Sequence, residues 1–117
     1  MNVTNIIVNF QLEGLHCWPA ARQLLPNVGY LSDPHRHVFY FTAKKRVYHD
    51  DRDIEIIMFK RQIADYLTKK YFDHTVNCCN FNSNSCEMLA NELQLKFELT
   101  YCSILEDNEN GAEVWQK

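Results

Sequence analysis

Pro34-His35-Arg36-His37-Val38-Phe39-Tyr40-Phe41 sets two histidines two residues apart at the head of a β-branched and aromatic run. Such residues fit the pleated, half-buried surface of a sheet, so the run predicts a strand. Successive side chains of a strand point to opposite faces, which places the two imidazoles on one face about 7 Å apart along it. A third histidine, His16, ends an earlier β-prone stretch, Asn9-Phe10-Gln11-Leu12-Glu13-Gly14-Leu15-His16. Three neutral imidazoles with one open position make a catalytic zinc arrangement, because the vacancy holds water or polarises a substrate oxygen. Strand histidines that are simply hydrogen-bonded have the same spacing, so at this level zinc and a bland packing role both stand.

Working outward, the strand runs from His35 to about Tyr48, with Phe39, Phe41 and Ala43 on the histidine face and Val38, Tyr40, Thr42, Lys44 and Arg46 on the other. The first strand spans about Thr4 to Leu15, with Ile6, Val8, Phe10 and Leu12 on one face, and Gly14 leaves His16 just past its regular part. Between them Pro19, Pro26, Asn27, Gly29, Asp33 and Pro34 predict a loop with one helical turn around Ala20 to Leu25. Ile56, Phe59, Ile63, Leu67 and Tyr71 then recur at three- and four-residue steps, predicting an amphipathic helix. Residues 78–83 read as loop, and Asn84 with Glu87 three positions on reads as a capping box for a second helix with Leu89, Leu93 and Phe97 inside. Leu99 to Leu105 and Ala112 to Trp115 read as the last two strands, joined by a turn at Asp107 to Gly111. The expected fold is therefore α+β, a four-stranded antiparallel sheet with two helices on one face, in one domain over residues 1–117.

A chain of 117 residues, 46% hydrophobic and 23% charged, is long enough to bury a core. The net charge of −3 argues against gripping a nucleic-acid backbone, which needs clustered cations. The densest basic run, Lys44-Lys45-Arg46, is short and is followed by Asp50-Asp51-Arg52-Asp53, which reads as a solvated hairpin. Five cysteines without a C-x-x-C pair point away from a structural zinc knuckle and toward free thiols. Met1 to Asn5 has no basic leader and Ile6-Ile7-Val8 is too short to cross a membrane, so the expectation is a cytoplasmic protein with neither membrane nor nucleic-acid partner.

Several short motifs fall in a consistent order. Phe10 or Leu12 leads to His16; His35-Arg36-His37 opens the second strand; Glu55-Ile56-Ile57-Met58-Phe59-Lys60 starts the first long helix. Phe72-Asp73-His74, with Asn77 behind it, follows that helix; Ser85-Cys86-Glu87-Met88-Leu89-Ala90 starts the second; Glu106 ends the third strand. Over nearly the whole chain this order resembles the 6-pyruvoyltetrahydropterin synthase and 6-carboxytetrahydropterin synthase family, the tunnelling-fold enzymes. The resemblance implies zinc on His16, His35 and His37, proton movement by Asp73 and His74, and Glu106 holding the guanidine-like edge of a pterin, with Glu87 and Ser85 as further substrate contacts. It also implies a lyase or isomerase acting on 7,8-dihydroneopterin triphosphate or a relative, in queuosine-type or tetrahydropterin biosynthesis. Its assembly would be a homo-oligomer, a trimer or a homohexamer of two stacked rings, with sites at subunit interfaces.

Two departures qualify this. The family's catalytic cysteine lies four residues before the first histidine of the pair, where this chain has Leu31, and neither Tyr30 nor Ser32 supplies a carboxylate instead. Arg36 replaces the glycine between the histidines. Cys17, beside His16, is the remaining thiol near the motif. The alternative is a non-catalytic protein that binds a pterin or purine-like ligand.

Overall fold

In the computed structural model, which describes residues 2–117, alternation of apolar and polar residues carries two long strands, β1 (Thr4–His16) and β2 (His35–Val47). They pair antiparallel along their full length, from Thr4 opposite Val47 to His16 opposite His35. Opposed residues of such a pair share a face. Val8, Phe39, Phe41 and Ala43 therefore turn one way into the core, while Asn9, Gln11, Tyr40 and Thr42 turn the other way. His16 belongs to the strand and does not lie beyond its regular part.

The link between these strands is a short helix, α1 (Ala21–Leu24), and a 3₁₀ segment at Pro26–Ser32. Next come α2 (Ile56–Tyr71), β3 (Phe72–Asp73), β4 (Cys78–Asn80), α3 (Cys86–Phe97), β5 (Tyr101–Glu106) and β6 (Asn110–Trp115). The Glu55 carboxylate caps α2 by accepting from the Ile57 and Met58 N–H groups, each at 3.0 Å. Ser85 caps α3 by accepting from Met88 N–H at 3.1 Å, so the helix begins one residue later than an Asn84 cap would have it. Phe59, Ile63, Leu67 and Tyr71 of α2 and Cys86, Leu89, Ala90 and Leu93 of α3 enter the same core as Phe39 and Phe41.

The sheet has six strands in the order β3-β4-β1-β2-β5-β6, and it is mixed, because β4 runs parallel to β1. The expected four-stranded antiparallel sheet with two helices is therefore wrong: β3, β4 and the 3₁₀ segment at Pro26–Ser32 were not expected, whereas α1 falls on the expected helical turn around Ala20 to Leu25. The physical reason lies at the outer edge of β1. With β2 on one side, its other edge at Gly14 and Leu15 would leave backbone groups unpaired; Cys79 and Asn80 take them up, and Phe72–Asp73 then pairs onto β4. Strands of two and three residues are too short to carry a periodicity, so the segment reads as loop in the sequence.

Gly14 faces the core side between β4 and β2. A Cβ there would lie 2.5 and 2.8 Å from two ring atoms of Phe81 and 3.3 Å from Phe39. Phe81 is fully buried, so its ring cannot swing away into solvent. Gly14→Ala is expected to destabilise the protein by about 1–3 kcal/mol, the range typical of an overpacked core. Urea unfolding of both proteins measures this, and an unchanged midpoint would contradict the packing described.

Candidate metal centre

The β1–β2 register determines the site. His16 stands directly opposite His35, and Gly14 opposite His37, so all three imidazoles emerge on the core side at one end of the sheet. Their ring centroids are 4.6 Å (His16–His35), 5.1 Å (His35–His37) and 5.4 Å (His16–His37) apart. One nitrogen from each ring lies within 4.8 Å of the others, a group of ligating atoms that can hold a metal ion. Phe39, fully buried, meets His16 and His37 edge-on and forms an apolar floor beneath them.

Each ring is held from behind. His16 Nδ1 donates to the Asn84 carbonyl at 3.0 Å, and His35 Nδ1 to the Asp33 carbonyl at 2.8 Å. His37 Nδ1 donates to the Asp107 carboxylate at 2.7 Å. Carbonyl and carboxylate oxygens only accept, so in each ring Nδ1 carries a proton, and in the neutral ring Nε2 presents its lone pair. This is the outer-sphere pattern that orients histidines bound to metals. The Nε2 atoms of His16 and His37 are buried without a hydrogen-bond partner, as a ligand awaiting a cation would be.

Glu106 completes the group. Its Oε2 lies 2.8 Å from His16 Nε2 and its Oε1 3.6 Å from His37 Nε2. We read the shorter approach as a charge contact and not an aligned hydrogen bond, because the nitrogen remains unsatisfied by geometry. Burial pulls the His16 imidazole down, but Glu106 and the Asn84 carbonyl outweigh it, and the ring titrates above its ordinary 6.5. Contact with His16 holds the Glu106 carboxyl below its ordinary 4.5 against the opposing effect of burial, with further help from His37 and His35. Cys86 Sγ lies 3.8 Å from Glu106 Oε2; burial first, then the Glu106 and Glu87 charges, push this thiol to about 12, so it stays protonated.

A cleft of about 460 Å³ opens beside the histidines, walled by Cys17, Trp18, Leu31, Asn84, Ser85, Glu87 and Met88. No family model matches the chain, and no curated protein matches it either. Among solved structures, the crystal structure of uncharacterized protein WS1659 from Wolinella succinogenes is similar over all of both chains, with a TM-score of 0.59 at 12% identity. That likeness is one of fold alone.

The structure brings together His16, His35, His37, Glu106, Ser85 and Glu87 around one cleft. It does not bring Asp73 and His74 there within one chain: they border a different opening, next to Lys70 and Thr75. The Asp73 carboxylate is engaged locally, accepting from Thr75 N–H at 2.9 Å, and His74 packs edge-on against Phe72. Leu31 and Cys17 both line the cleft, so the position where the resemblance expects a thiol is a wall of the site. Asp107 is the residue that sequence reasoning missed, since it reads as part of a solvated acidic turn. Its carboxylate accepts from both the Val38 N–H, at 3.0 Å, and His37, which together hold its carboxyl below the ordinary range.

Two outcomes are expected. Removing the outer-sphere charge in Asp107→Asn should weaken metal binding about 10- to 100-fold with the fold intact; competition against a chromophoric chelator measures it, and unchanged affinity would contradict the role. In metal-free protein, the raised His16 contributes stability that is present below 6.5 and lost as pH rises through its folded value. The lowered Glu106 contributes stability that is present above 4.5 and lost as pH falls through its own folded value. The melting temperature of chelator-treated protein should therefore be highest between those two pH values, and Glu106→Gln should flatten that maximum. An identical profile in the variant would contradict the charge contact.

Proposed function

We propose that the chain is a zinc-dependent lyase or isomerase of the 6-pyruvoyltetrahydropterin and 6-carboxytetrahydropterin synthase type, acting on 7,8-dihydroneopterin triphosphate or a closely related pterin. The observation that carries this reading is the convergence of three Nε2 lone pairs, each ring fixed through Nδ1, beside a cleft of about 460 Å³. A donor set of three imidazoles suits zinc, and a cleft of this size suits a small heteroaromatic ligand. Zinc bound there supplies Lewis-acid polarisation of the ligand's side-chain oxygens, which acidifies the neighbouring C–H bonds.

The chain's own residues supply the rest. Asp107 fixes the His37 ring, and Phe39 closes the floor against water. Trp18 and Met88 give the cleft apolar surface for a planar ring. The Ser85 oxygen accepts from Met88 N–H, leaving its hydroxyl proton free to donate into the cleft, and the exposed Glu87 carboxylate stands ready to accept from a ligand amino group. Asp73 and His74, the proton carriers of the resemblance, reach such a cleft only from a neighbouring subunit. The proposal therefore includes a homo-oligomer, a trimer or hexamer, joined through the sheet edges at β3 and β6.

One observation favours the second reading, a protein that binds a pterin or purine-like ligand without turning it over. Leu31 lines the cleft where a thiol base is expected, and losing a positioned base costs about 10²- to 10⁴-fold in rate. Cys17 on the same cleft is the thiol that would have to replace it.

Elemental analysis of untagged protein and of His37→Ala, followed by incubation of both with dihydroneopterin triphosphate, tests these readings. About one zinc per chain, lost in the variant, together with turnover by the wild type, is the expected result. Zinc without turnover would favour the binding reading, and absence of metal in the wild type would overturn the enzyme reading and the metal site. Light scattering should give a trimer or hexamer, and a monomer would contradict the shared site.

A further inference from the structure

We propose that the sheet face away from the helices carries a second binding site around Lys44 and Arg46, for a small phosphomonoester attached to a flat aromatic ring, of the nucleoside monophosphate kind. This site depends neither on the metal centre nor on the pterin reading.

The alternation of β2 places its parts. Ala43 and Val47 turn into the protein, so Lys44 and Arg46 turn out together on the opposite face, about 7 Å apart along the strand. Lys44 lies nine residues beyond His35, about 30 Å from the histidine end of the sheet. Neighbouring segments add aromatic rings. Lys44 Nζ is 4.4 Å from the Tyr101 ring centroid and 5.9 Å from that of Trp115, and the Arg46 guanidinium lies 5.3 Å from the Tyr48 ring. Tyr48 is 81% and Trp115 64% exposed, which leaves ring surface free for stacking. With Asn5 and Thr100 these side chains wall an opening of about 400 Å³, room for one small ligand. Edge pairing through β6 would engage its backbone, so this face stays outside that contact.

The unmatched charge selects an anion. Among the described residues Lys44 and Arg46 form no ion pair with a carboxylate, whereas Arg36 pairs with Glu13 at 3.1 Å and Lys70 with Glu92 at 2.8 Å. Arg46 Nε is buried without an acceptor. A guanidinium does not deprotonate, so that donor stays unsatisfied until an acceptor is supplied. Glu113, on the same face, accepts from the Trp115 indole and from the Tyr101 hydroxyl at 3.4 Å, which fixes the rings and leaves the cations unmatched. A phosphomonoester brings nearly two negative charges and three acceptor oxygens, a better match to two cations than a carboxylate. The flanking rings add stacking, which inorganic phosphate cannot use. Two cations do not make a track for a nucleic-acid backbone, so the ligand is a single small molecule.

The test is a two-dimensional NMR titration of the labelled full chain with adenosine monophosphate, and in parallel with adenosine and with inorganic phosphate. The two tryptophan indole signals separate the sites, because Trp18 borders the metal cleft and Trp115 the distal opening. Adenosine monophosphate should shift Trp115, leave Trp18 in place, and bind at least about tenfold more tightly than either fragment. Lys44→Gln and Arg46→Gln should each weaken it at least about tenfold, and Trp115→Ala about 5- to 150-fold, with zinc content unchanged. Circular dichroism checks that the variants are folded. Shifts at Trp18 in place of Trp115, inorganic phosphate binding as tightly as the nucleotide, full affinity in the folded variants, or no shift at all would each overturn the site.

Discussion

The antiparallel register of β1 and β2 is the constraint on which the site depends. Opposed residues share a face, so His16 opposite His35 and Gly14 opposite His37 bring three imidazoles to one side of the sheet. A slip of one residue would turn β1's histidine to the opposite face from β2's pair. The same slip would expose Val8, Phe10 and Leu12, which pack into or against the core with Phe39 and Phe41. The hydrophobic pattern that stabilises the fold therefore also locks the ligand geometry. Gly14 shares in both roles, since its missing side chain leaves room for Phe81 beside the histidine cluster.

Register places the rings, but distant segments orient them. The acceptors behind the three Nδ1 atoms come from Asp33 just before β2, Asn84 just before α3, and Asp107 just after β5. Asn84 is held by its own amide donating to the Phe81 carbonyl at 2.9 Å, and Asp107 by the Val38 N–H. α3 is in turn tied to α2 by Glu92, which accepts from Tyr66 and Lys70 at 2.6 and 2.8 Å. The preorganisation of the centre thus draws on helix packing and turn geometry as well as on the sheet. The apolar floor at Phe39 makes the part-buried bond of His16 to Asn84 count for more than it would in water.

Much of this was legible in the sequence because it rests on period. The β1 and β2 alternation, the α2 stripe at Phe59, Ile63, Leu67 and Tyr71, and the shared face of His35 and His37 follow from spacing alone. The histidine cluster needed one thing more, the pairing partner of His16, which spacing within a single strand does not specify. What escaped was local or non-periodic. β3 and β4 are two and three residues long and exist because β1 has an edge to fill. Asp107 sits in an acidic turn that looks solvated, and its role depends on a positive φ of 54° at that residue and on contacts 69 and 70 positions away. Asp73 and His74 form a sequence motif that one chain does not bring to the cleft.

The most direct test of the central claim is nitrogen-15 NMR of the imidazoles during a zinc titration. The protein has five histidines, of which His49, in the turn beside Asp53, serves as an internal control. The account predicts that His16, His35 and His37 keep a protonated Nδ1 and shift at Nε2 as zinc is added, while His49 stays unchanged. Zinc-dependent shifts at Nδ1, or shifts spread evenly over all the histidines, would contradict it.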